Sequence, residues 1–440
     1  MAHENTPLQE IGILGSGFVG ITLAAHFVGM QKSKVIIVDN NIEKVKNIEN
    51  GNYGVWEPEL DEILNFAIRN GTCEVRSQFE DNSLDVLFIT VGTPLVNNEV
   101  QAGHPELLEA IKQNINALRQ NSMIFLRSTV TIGTTNRIKV VINGLGRYDL
   151  SVYFAPERTA EGIALEELRK LPQILGAARE CNSEIAIAFL KSQNFDVILT
   201  ETASSAELIK LACNSWRDLT FAFANEIAFI SAQEGIDGRN AINLANQNYA
   251  RSKIPMPGPS GGPCLTKDSY ILTAPYSELK ESSSVIVAAR KTNELVYYNI
   301  LQKAQNEIRK RKSPHVVIAG IAFKGSPRTN DTRNGLGRYL VENLLLIESL
   351  PEIKIWDPYV EDDLLIGGKE LLNVTFDGET TDILIISNNA SYFYDDFFVT
   401  EISKMSQNSI IIDCWNMINA SDLLSARKIT FGSGEWNSYG

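Results

Sequence analysis

Cysteine is scarce in this 440-residue chain and histidine scarcer still. The five cysteines (Cys73, Cys181, Cys213, Cys264 and Cys414) are odd in number and form no C-x-x-C pair. That excludes a disulfide framework and a thiolate zinc site, and suits a reducing compartment. The four histidines (His3, His26, His104 and His315) stand in no catalytic or metal-ligating spacing and are expected to be structural. No apolar run reaches the roughly 18 residues that a membrane span needs. Met1 to Thr6 carry no basic segment followed by an apolar one, so no secretory leader is expected and the protein is read as cytoplasmic. Positive charge is also in deficit: 40 Lys and Arg against 53 Asp and Glu give a net charge of −13. Bulk attraction to nucleic acid is therefore not expected. Short-period repeats and low-complexity tracts are missing too. Such a length exceeds one ordinary core, so two or three domains are expected.

What is present begins with a strand, Ile11–Leu14, followed at once by Gly15-Ser16-Gly17-Phe18-Val19-Gly20. A helix rich in Ala, Leu and Phe is expected over Ile21–Met30, then a strand over Val35–Val38 ending at Asp39. Strand, Gly-rich turn, helix, strand and acid together form a dinucleotide-binding fingerprint. Gly15 permits the tight turn, Gly17 lets the backbone approach a pyrophosphate, and Gly20 lets helix and strand pack closely. The helix N-terminus, at Phe18 and Val19, offers N–H groups to the phosphates. Asp39 can accept bonds from both ribose hydroxyls and would repel a 2′-phosphate. The following Asn40 and Asn41 supply no Arg, so NAD is favoured over NADP.

Further strands are expected at Val86–Val91, Ile124–Arg127 and Val152–Ala155, with a helical pattern over Pro105–Arg119. Ser204 or Ser205 caps a long apolar-periodic helix running to about Ala232, with Gly235 just past its end. Another helix is expected over Val285–Arg311. From Pro314 the alternation restarts, with strands at Val316–Ala319, Lys354–Trp356, Asp382–Ile386 and Ile410–Ile412 and a helix over Leu336–Ile347, but no full G-x-G-x-x-G. The expected architecture is α/β, with two Rossmann-like doubly wound domains joined by a long central helix and a helical middle region. The segments are 1–200 for dinucleotide binding, 201–312 for the helical dimerisation and catalytic part, and 313–440 for a second nucleotide-binding unit.

Between the two long helices lies Pro257-Gly258-Pro259-Ser260-Gly261-Gly262-Pro263-Cys264-Leu265-Thr266-Lys267-Asp268. It reads as a Gly/Pro-rich loop ending in one cysteine, with an Asp four residues on. A thiol beside a hydride acceptor points to aldehyde oxidation through a thioester. A bare aldehyde is a poor hydride donor, whereas its tetrahedral thiol adduct is a good one.

In order along the chain, Gly15–Gly20 with Asp39, Glu57-Pro58-Glu59-Leu60, Thr93-Pro94-Leu95 and Ser128-Thr129-Val130-Thr131-Ile132-Gly133-Thr134 resemble the UDP-glucose/GDP-mannose dehydrogenase family. So do Pro156-Glu157-Arg158 with Glu161-Gly162, the helix with Glu207, Lys210 and Asn214, and Gly261–Asp268. Ala322-Phe323-Lys324-Gly325 and Asp331-Thr332-Arg333 complete the set. There are departures. The loop is one residue shorter before its double glycine, and Trp415 stands where UDP-glucose oxidisers often carry an Arg. Arg158 looks like the members acting on N-acetylated sugars, whereas Lys267 departs from them.

The resemblance implies oxidation of the C-6 alcohol of a nucleotide sugar, a UDP-sugar of the N-acetylhexosamine or glucose type, to the carboxylate with two NAD. It implies Cys264 as nucleophile and Lys210 and Asn214, four apart on one helical face, as partners of the oxyanion. Asp268 and a water held by Thr129 would act as base and hydrolytic water. Glu157 would serve as acid/base if its surroundings raise its pKa. Thr93, Thr129, Lys267 and Arg333 join the cofactor contacts. Glu157, Arg158, Lys210, Asn214, Gly261 and Lys324 would line the substrate, with Arg251 reaching from a second subunit of a homodimer or higher oligomer. No metal is implied. Two other readings stay open: a single-hydride hydroxyacid or 6-phosphogluconate-type dehydrogenase, and a non-catalytic nucleotide-sugar binder.

Overall fold

The computed structural model describes residues 9–95, 100–101, 103–279, 284–347, 353–360, 364–366, 368–423 and 425–436. The expectations for Met1 to Thr6, His3 included, lie outside them. The chain forms two compact units, Met1–Cys213 with Tyr270–Pro275, and Asn214–Ser269 with Tyr276–Gly440.

The first unit is built on strands β1 (Gln9–Leu14), β2 (Ser33–Val38), β3 (Cys73–Arg76), β4 (Leu84–Ile89), β5 (Leu118–Leu126), β6 (Ser151–Phe154), β7 (Gln173–Ala177) and β8 (Val197–Leu199). Their order is β3-β2-β1-β4-β5-β6-β7-β8. Neighbours run parallel except β6 and β7. Parallel strands need crossovers, and helices α1 (Phe18–Gly29), α2 (Ile42–Glu49), α3 (Leu60–Arg69), α4 (Pro105–Asn114), α5 (Thr134–Gly144), α6 (Ala164–Lys170) and α7 (Ser183–Ser192) supply them. The strands bury both faces. Ile11, Ile13, Val35, Ile37, Val86 and Phe88 enter one core, while Leu14, Ile36, Val38, Leu87 and Ile89 enter the other. That two-sided burial is why the strands read as continuous apolar runs rather than alternating ones. Helix α1 is buried from Gly20 to Val28, which its Ala/Leu/Phe composition demands.

Helix α8 (Ala203–Gln233) follows, then α9 (Gly238–Asn246), α10 (Gly262–Thr273) and α11 (Val285–Arg309). The Ser284 hydroxyl accepts from the Val287 amide and starts α11.

In the second unit β9 (Val316–Ala319), β10 (Ile353–Trp356), β13 (Ile383–Ile386), β14 (Ile410–Asp413) and β15 (Arg427–Thr430) form a parallel sheet in the order β10-β9-β13-β14-β15. A small antiparallel pair, β11 (Leu364–Ile366) and β12 (Lys369–Leu371), lies between β10 and β13 in sequence. Val316, Ile318, Ile383 and Ile385 enter one core, and Val317, Ala319, Leu384 and Ile386 the other. Helices α12 (Leu336–Leu344) and α13 (Asp396–Ser403) complete the unit. Both sheets are doubly wound. In such sheets ligands bind beyond the strands' carboxyl ends, where the winding direction reverses: between β1 and β4, and between β9 and β13.

Candidate active site

Gly15 opens the turn after β1 with φ +106, a conformation that L side chains rarely adopt. Its amide donates to the Val38 carbonyl at 2.8 Å, holding the turn against β2. A Cβ on Gly20 would lie 2.0 Å from the Gly15 carbonyl oxygen, so packing alone requires that glycine. Gly17 differs: a Cβ there would meet nothing within 4 Å. Its glycine is not needed by the protein's own packing, as expected where a ligand must come close. Gly17 is also the N-cap of α1 and offers no side-chain cap, so the amides that follow, at Phe18 and Val19, keep their donors for an anion.

Asp39, at the end of β2, accepts from the Ser16 amide at 2.9 Å and the Ser16 hydroxyl at 2.7 Å through one oxygen, and from the Asn41 amide at 3.0 Å through the other. Burial alone would raise its pKa. The Ser16 hydroxyl, the Asn41 and Ser16 amides and the Lys44 charge outweigh burial and hold the carboxyl below its ordinary value. An ionised acid here suits ribose hydroxyls and repels a 2′-phosphate, so the residues present fit NAD. On the neighbouring loops the Thr93 hydroxyl donates to the Thr129 carbonyl at 2.6 Å.

Beyond β6, Glu157 is buried against the guanidinium of Arg127, itself 2% exposed. Glu157 also accepts from the Arg158 and Thr159 amides at 2.8 and 2.9 Å. Burial pushes this carboxyl up, but Arg127 and the Thr159 donors prevail and hold it below its ordinary value. The condition set for an acid/base role, surroundings that raise its pKa, is therefore not met: Glu157 is held as a carboxylate. The Arg158 guanidinium donates to the Pro172 carbonyl.

In the second unit the Gly/Pro run, expected to be loop as far as Cys264, becomes helical at Gly262. Pro263 fits the first turn, where its missing N–H costs nothing. Cys264 is therefore exposed in that first turn, at the end of the helix that favours an anion. Asp268 lies one turn later and is fully buried. One Asp268 oxygen accepts from the Asn214 amide group at 2.6 Å, and the other has no hydrogen-bond partner among the described residues. Asn214 lies on α8, one turn after Lys210. The Lys210 side chain is 6% exposed, and its amine makes no hydrogen bond or ion pair among the described residues. Gly261 is wedged in, since a Cβ would fall 2.0 Å from the Tyr297 hydroxyl and 2.5 Å from the Asn334 carbonyl oxygen. Lys267 is partly exposed on α10.

Three other expected residues have their own local partners. Arg251 lies over the Tyr249 ring at 5.2 Å, Lys324 over the Phe323 ring at 5.6 Å, and Arg333 pairs with Asp331 at 2.5 Å. Trp415 packs against Gly258, where a Cβ would lie 2.7 Å from the indole, and its N–H donates to the Ser387 carbonyl at 3.1 Å. It braces the chain and supplies no charge.

Residues 9–192 match the model of the UDP-glucose/GDP-mannose dehydrogenase family, NAD binding domain, and residues 204–295 match its central domain. The chain is 30% identical over 423 residues to the UDP-N-acetyl-D-mannosamine dehydrogenase of Pyrococcus horikoshii, covering 93% of this chain and 96% of that one. It belongs to the UDP-glucose/GDP-mannose dehydrogenase family. The chain is also 28% identical over 395 residues to an NDP-N-acetyl-D-galactosaminuronic acid dehydrogenase of Ralstonia nicotianae, covering 86% and 90% of the two. The solved structure of the UDP-D-ManNAc dehydrogenase from Pyrococcus horikoshii superposes with a TM-score of 0.82 at 28% identity, over 97% of this chain and 100% of that one. The protein is an NAD-dependent nucleotide-sugar dehydrogenase. Among the described residues no helix is long and apolar enough to cross a membrane, and no acidic, His or Cys cluster could hold a metal ion.

Several segments that mark this dehydrogenase by family likeness serve as caps. Glu57 accepts from the Gly162 and Ala164 amides at the start of α6. Glu207 accepts from the Gly133 and Thr135 amides at the start of α5, at 2.5 and 2.8 Å, and from the Thr135 hydroxyl at 2.6 Å. His104 accepts from the Thr131 amide at 3.0 Å, in keeping with a structural role. The sequence reading missed Arg127 and, in the second unit, the buried set Asp218, Asn225, Arg290 and Asn293. The available signal was a full charge inside an apolar stretch. Arg127 ends the Phe125-Leu126 run, and Arg290 lies three residues from both Val287 and Asn293 on the buried stripe of α11.

Proposed function

We propose that this dehydrogenase oxidises the C-6 alcohol of UDP-N-acetyl-D-mannosamine to the uronic acid. The substrate rests on the relatives: six of them, at 26–30% identity, are UDP-N-acetyl-D-mannosamine dehydrogenases. The chemistry rests on one observation, the 2.6 Å bond that joins Asn214 to Asp268 one turn from the Cys264 thiol. The alcohol loses four electrons as two hydrides, three protons leave, and water supplies the second carboxylate oxygen. Two equivalents of NAD accept the hydrides, held by Gly15, Gly17, Phe18, Val19, Gly20, Asp39, Thr93, Thr129, Lys267 and Arg333.

Lys210 and Asn214 stabilise the developing alkoxide, which suits a buried lysine with no other partner among the described residues. The Cys264 thiolate adds to the aldehyde, and hydride loss from that adduct leaves a thioester on its sulfur. Asp268, through its unpartnered oxygen, takes the proton from water held at Thr129, and the thioester is hydrolysed. Glu157, kept ionised by Arg127, acts as an acceptor toward that water or the sugar. Arg158, Gly261 and Lys324 contact the nucleotide sugar, with Arg251 contributed by a second copy.

Residues 1–200, 201–312 and 313–440 would divide this work into NAD binding, catalysis with dimerisation, and UDP binding. A dimer suits the outer face of α8, where Trp216, Phe223 and Ile230, seven residues apart, are 64%, 52% and 53% exposed. With five cysteines outside any disulfide, the cytoplasm is the fitting compartment.

The test is NADH formed per sugar at 340 nm across UDP-N-acetylmannosamine, UDP-N-acetylglucosamine, UDP-N-acetylgalactosamine, UDP-glucose and GDP-mannose. Two per UDP-N-acetylmannosamine is expected, and preference for another sugar overturns the substrate. Cys264→Ser should keep at most a slow first oxidation and form little acid. Acid at the wild-type rate removes the thiol from the mechanism.

A further inference from the structure

The second unit contains a polar chain that the reaction as described leaves unused. Asp218 and Asn225 on α8 and Arg290 and Asn293 on α11 are each no more than 1% exposed. Arg290 donates to Asp218 at 2.7 Å, and Asn293 donates to the Asp218 carboxylate at 2.8 Å and to its carbonyl at 2.9 Å. Asn225 donates to Asn293 at 2.8 Å. Ser269 donates to Asp218 at 3.4 Å and Glu294 pairs with Arg290 at 3.5 Å, and the chain's bonds to backbone beyond α8 converge on one stretch. Arg290 donates to the Ser260 carbonyl at 3.4 Å and to the Leu265 carbonyl at 3.2 Å. Asn225 grips Gly258 from both sides, donating to its carbonyl at 3.1 Å and accepting from its amide at 2.8 Å. The backbone atoms held, at Gly258, Ser260 and Leu265, bracket Cys264.

We propose that Arg290 and Asn225 are positioning residues that fix the Cys264 sulfur for the second oxidation. This rests on Cys264 being the nucleophile. A core that needed only stability would be served as well by apolar side chains, because buried ion pairs seldom out-stabilise them. A planar guanidinium reaches two carbonyls and a carboxylate from two separate nitrogens, whereas an ammonium would have to reach all three from one point. A side-chain amide can likewise satisfy both polar atoms of one residue, as Asn225 does for Gly258. The first oxidation needs the alcohol, the nicotinamide and Lys210 in register, whereas only the second needs the sulfur in place. Loosening the bracket should therefore slow acid formation more than aldehyde formation.

The experiment compares the full-length wild type with R290K, N225A and C264A. It reads total NADH, acid product and aldehyde trapped by hydroxylamine, together with the rate of Cys264 alkylation by iodoacetamide across pH. R290K keeps the charge opposite Asp218 but replaces the two nitrogens that reach Ser260 and Leu265 with one. It should lose acid formation by roughly tenfold to a hundredfold, release trappable aldehyde, alter the alkylation profile and leave the KM for NAD unchanged. N225A should shift the same partition, and it carries the test if R290K does not fold. Equal slowing of both oxidations with no trapped aldehyde and an unaltered alkylation profile overturns the proposal and leaves the Cys264 assignment standing. Acid formation by C264A at the wild-type rate overturns both.

Discussion

His26 lies inside α1, the helix whose N-terminus forms the dinucleotide turn, and it is 4% exposed. Its Nε2 donates to the Gln193 carbonyl at 3.0 Å, its Nδ1 has no partner among the described residues, and its ring lies 4.4 Å from that of Phe195. A proton on Nδ1 would be a buried charge without an acceptor. Burial therefore pushes its pKa down from 6.5 to about 4, against the opposing pull of the Gln193 carbonyl. In the unfolded chain the same imidazole takes up a proton at its ordinary value. Stability is thus complete above that value, falls as pH drops from 6.5 toward 4, and levels off below both. The whole difference is worth about 3 kcal/mol, and at pH 5 roughly 2 kcal/mol of it is already lost.

The assay is urea titration at pH 7 and pH 5, read by hydrogen exchange in peptides spanning α1, for the wild type and His26→Gln. Glutamine can still donate to Gln193 but does not titrate, so carboxylates elsewhere cancel in the comparison. The wild type should lose roughly 2 kcal/mol more than the variant between the two pH values. Parallel losses in the two proteins would refute the reasoning, whatever constant cost the substitution carries.

Three further outcomes are expected. Lys210→Met should lower kcat by about 10²–10³ with little change in Tm, because the amine makes no bond that the fold needs; a drop in Tm with kcat retained contradicts this. Arg127→Met strands a buried carboxylate and should cost about 3–5 kcal/mol in urea titration, part of it returning when Glu157→Gln is added. Because Arg127 holds the Glu157 carboxyl below its ordinary value, that pair stabilises above roughly pH 4.3 and the contribution fades as pH falls below it; a double-mutant cycle repeated at pH 7 and pH 3.5 checks the sign. Asp39→Ala should raise the KM for NAD by roughly ten- to hundredfold through lost charge-assisted hydrogen bonds, and an unchanged value would dismiss the ribose contact.

The dinucleotide turn was legible because every requirement is local: apolar strand, glycines at fixed offsets, buried helix, acid. The strand at Val316–Ala319 was legible for the same reason, and its limits agree residue for residue. Elsewhere local signals misled. Pro105–Arg119 reads as one helix, but α4 stops at Asn114 and Leu118 already belongs to β5, because tertiary pairing with β4 outweighs a continued helical pattern. The run before Cys264 reads as loop through its Gly and Pro content, although Gly262 at φ +88 and Pro263 are residues that can precede or begin a helix. The short edge strand β15, Arg-Lys-Ile-Thr, has half its length charged and gave no apolar signal. Nothing local could have paired Arg127 with Glu157, 30 residues away, or Arg290 with Asp218, 72 away.

The sequence after Pro314 lacks a full fingerprint, yet its hydrogen bonds repeat those of the first unit. The Gly320 amide donates to the Trp356 carbonyl at 2.8 Å, as Gly15 does to Val38, and φ is +85 against +106. The Ser387 amide donates to Ala319 at 2.9 Å, as Thr90 does to Leu14. The Ala322 amide donates to Asp357 at 2.9 Å, as Ser16 does to Asp39. The differences decide what each turn can hold. Helix α1 begins three residues after Gly15, so its uncapped amides crowd the turn, whereas α12 begins only at Leu336. Both acids accept bonds on each oxygen, but Asp39 is 9% exposed with its pKa held down despite burial, whereas Asp357 is fully buried with its pKa raised by burial. A carboxyl with no exposed edge cannot meet a ribose, and burial disfavours the charge that would accept its hydroxyls. The second turn keeps the fold of a dinucleotide site without its chemistry, which leaves the first as the place where NAD is held.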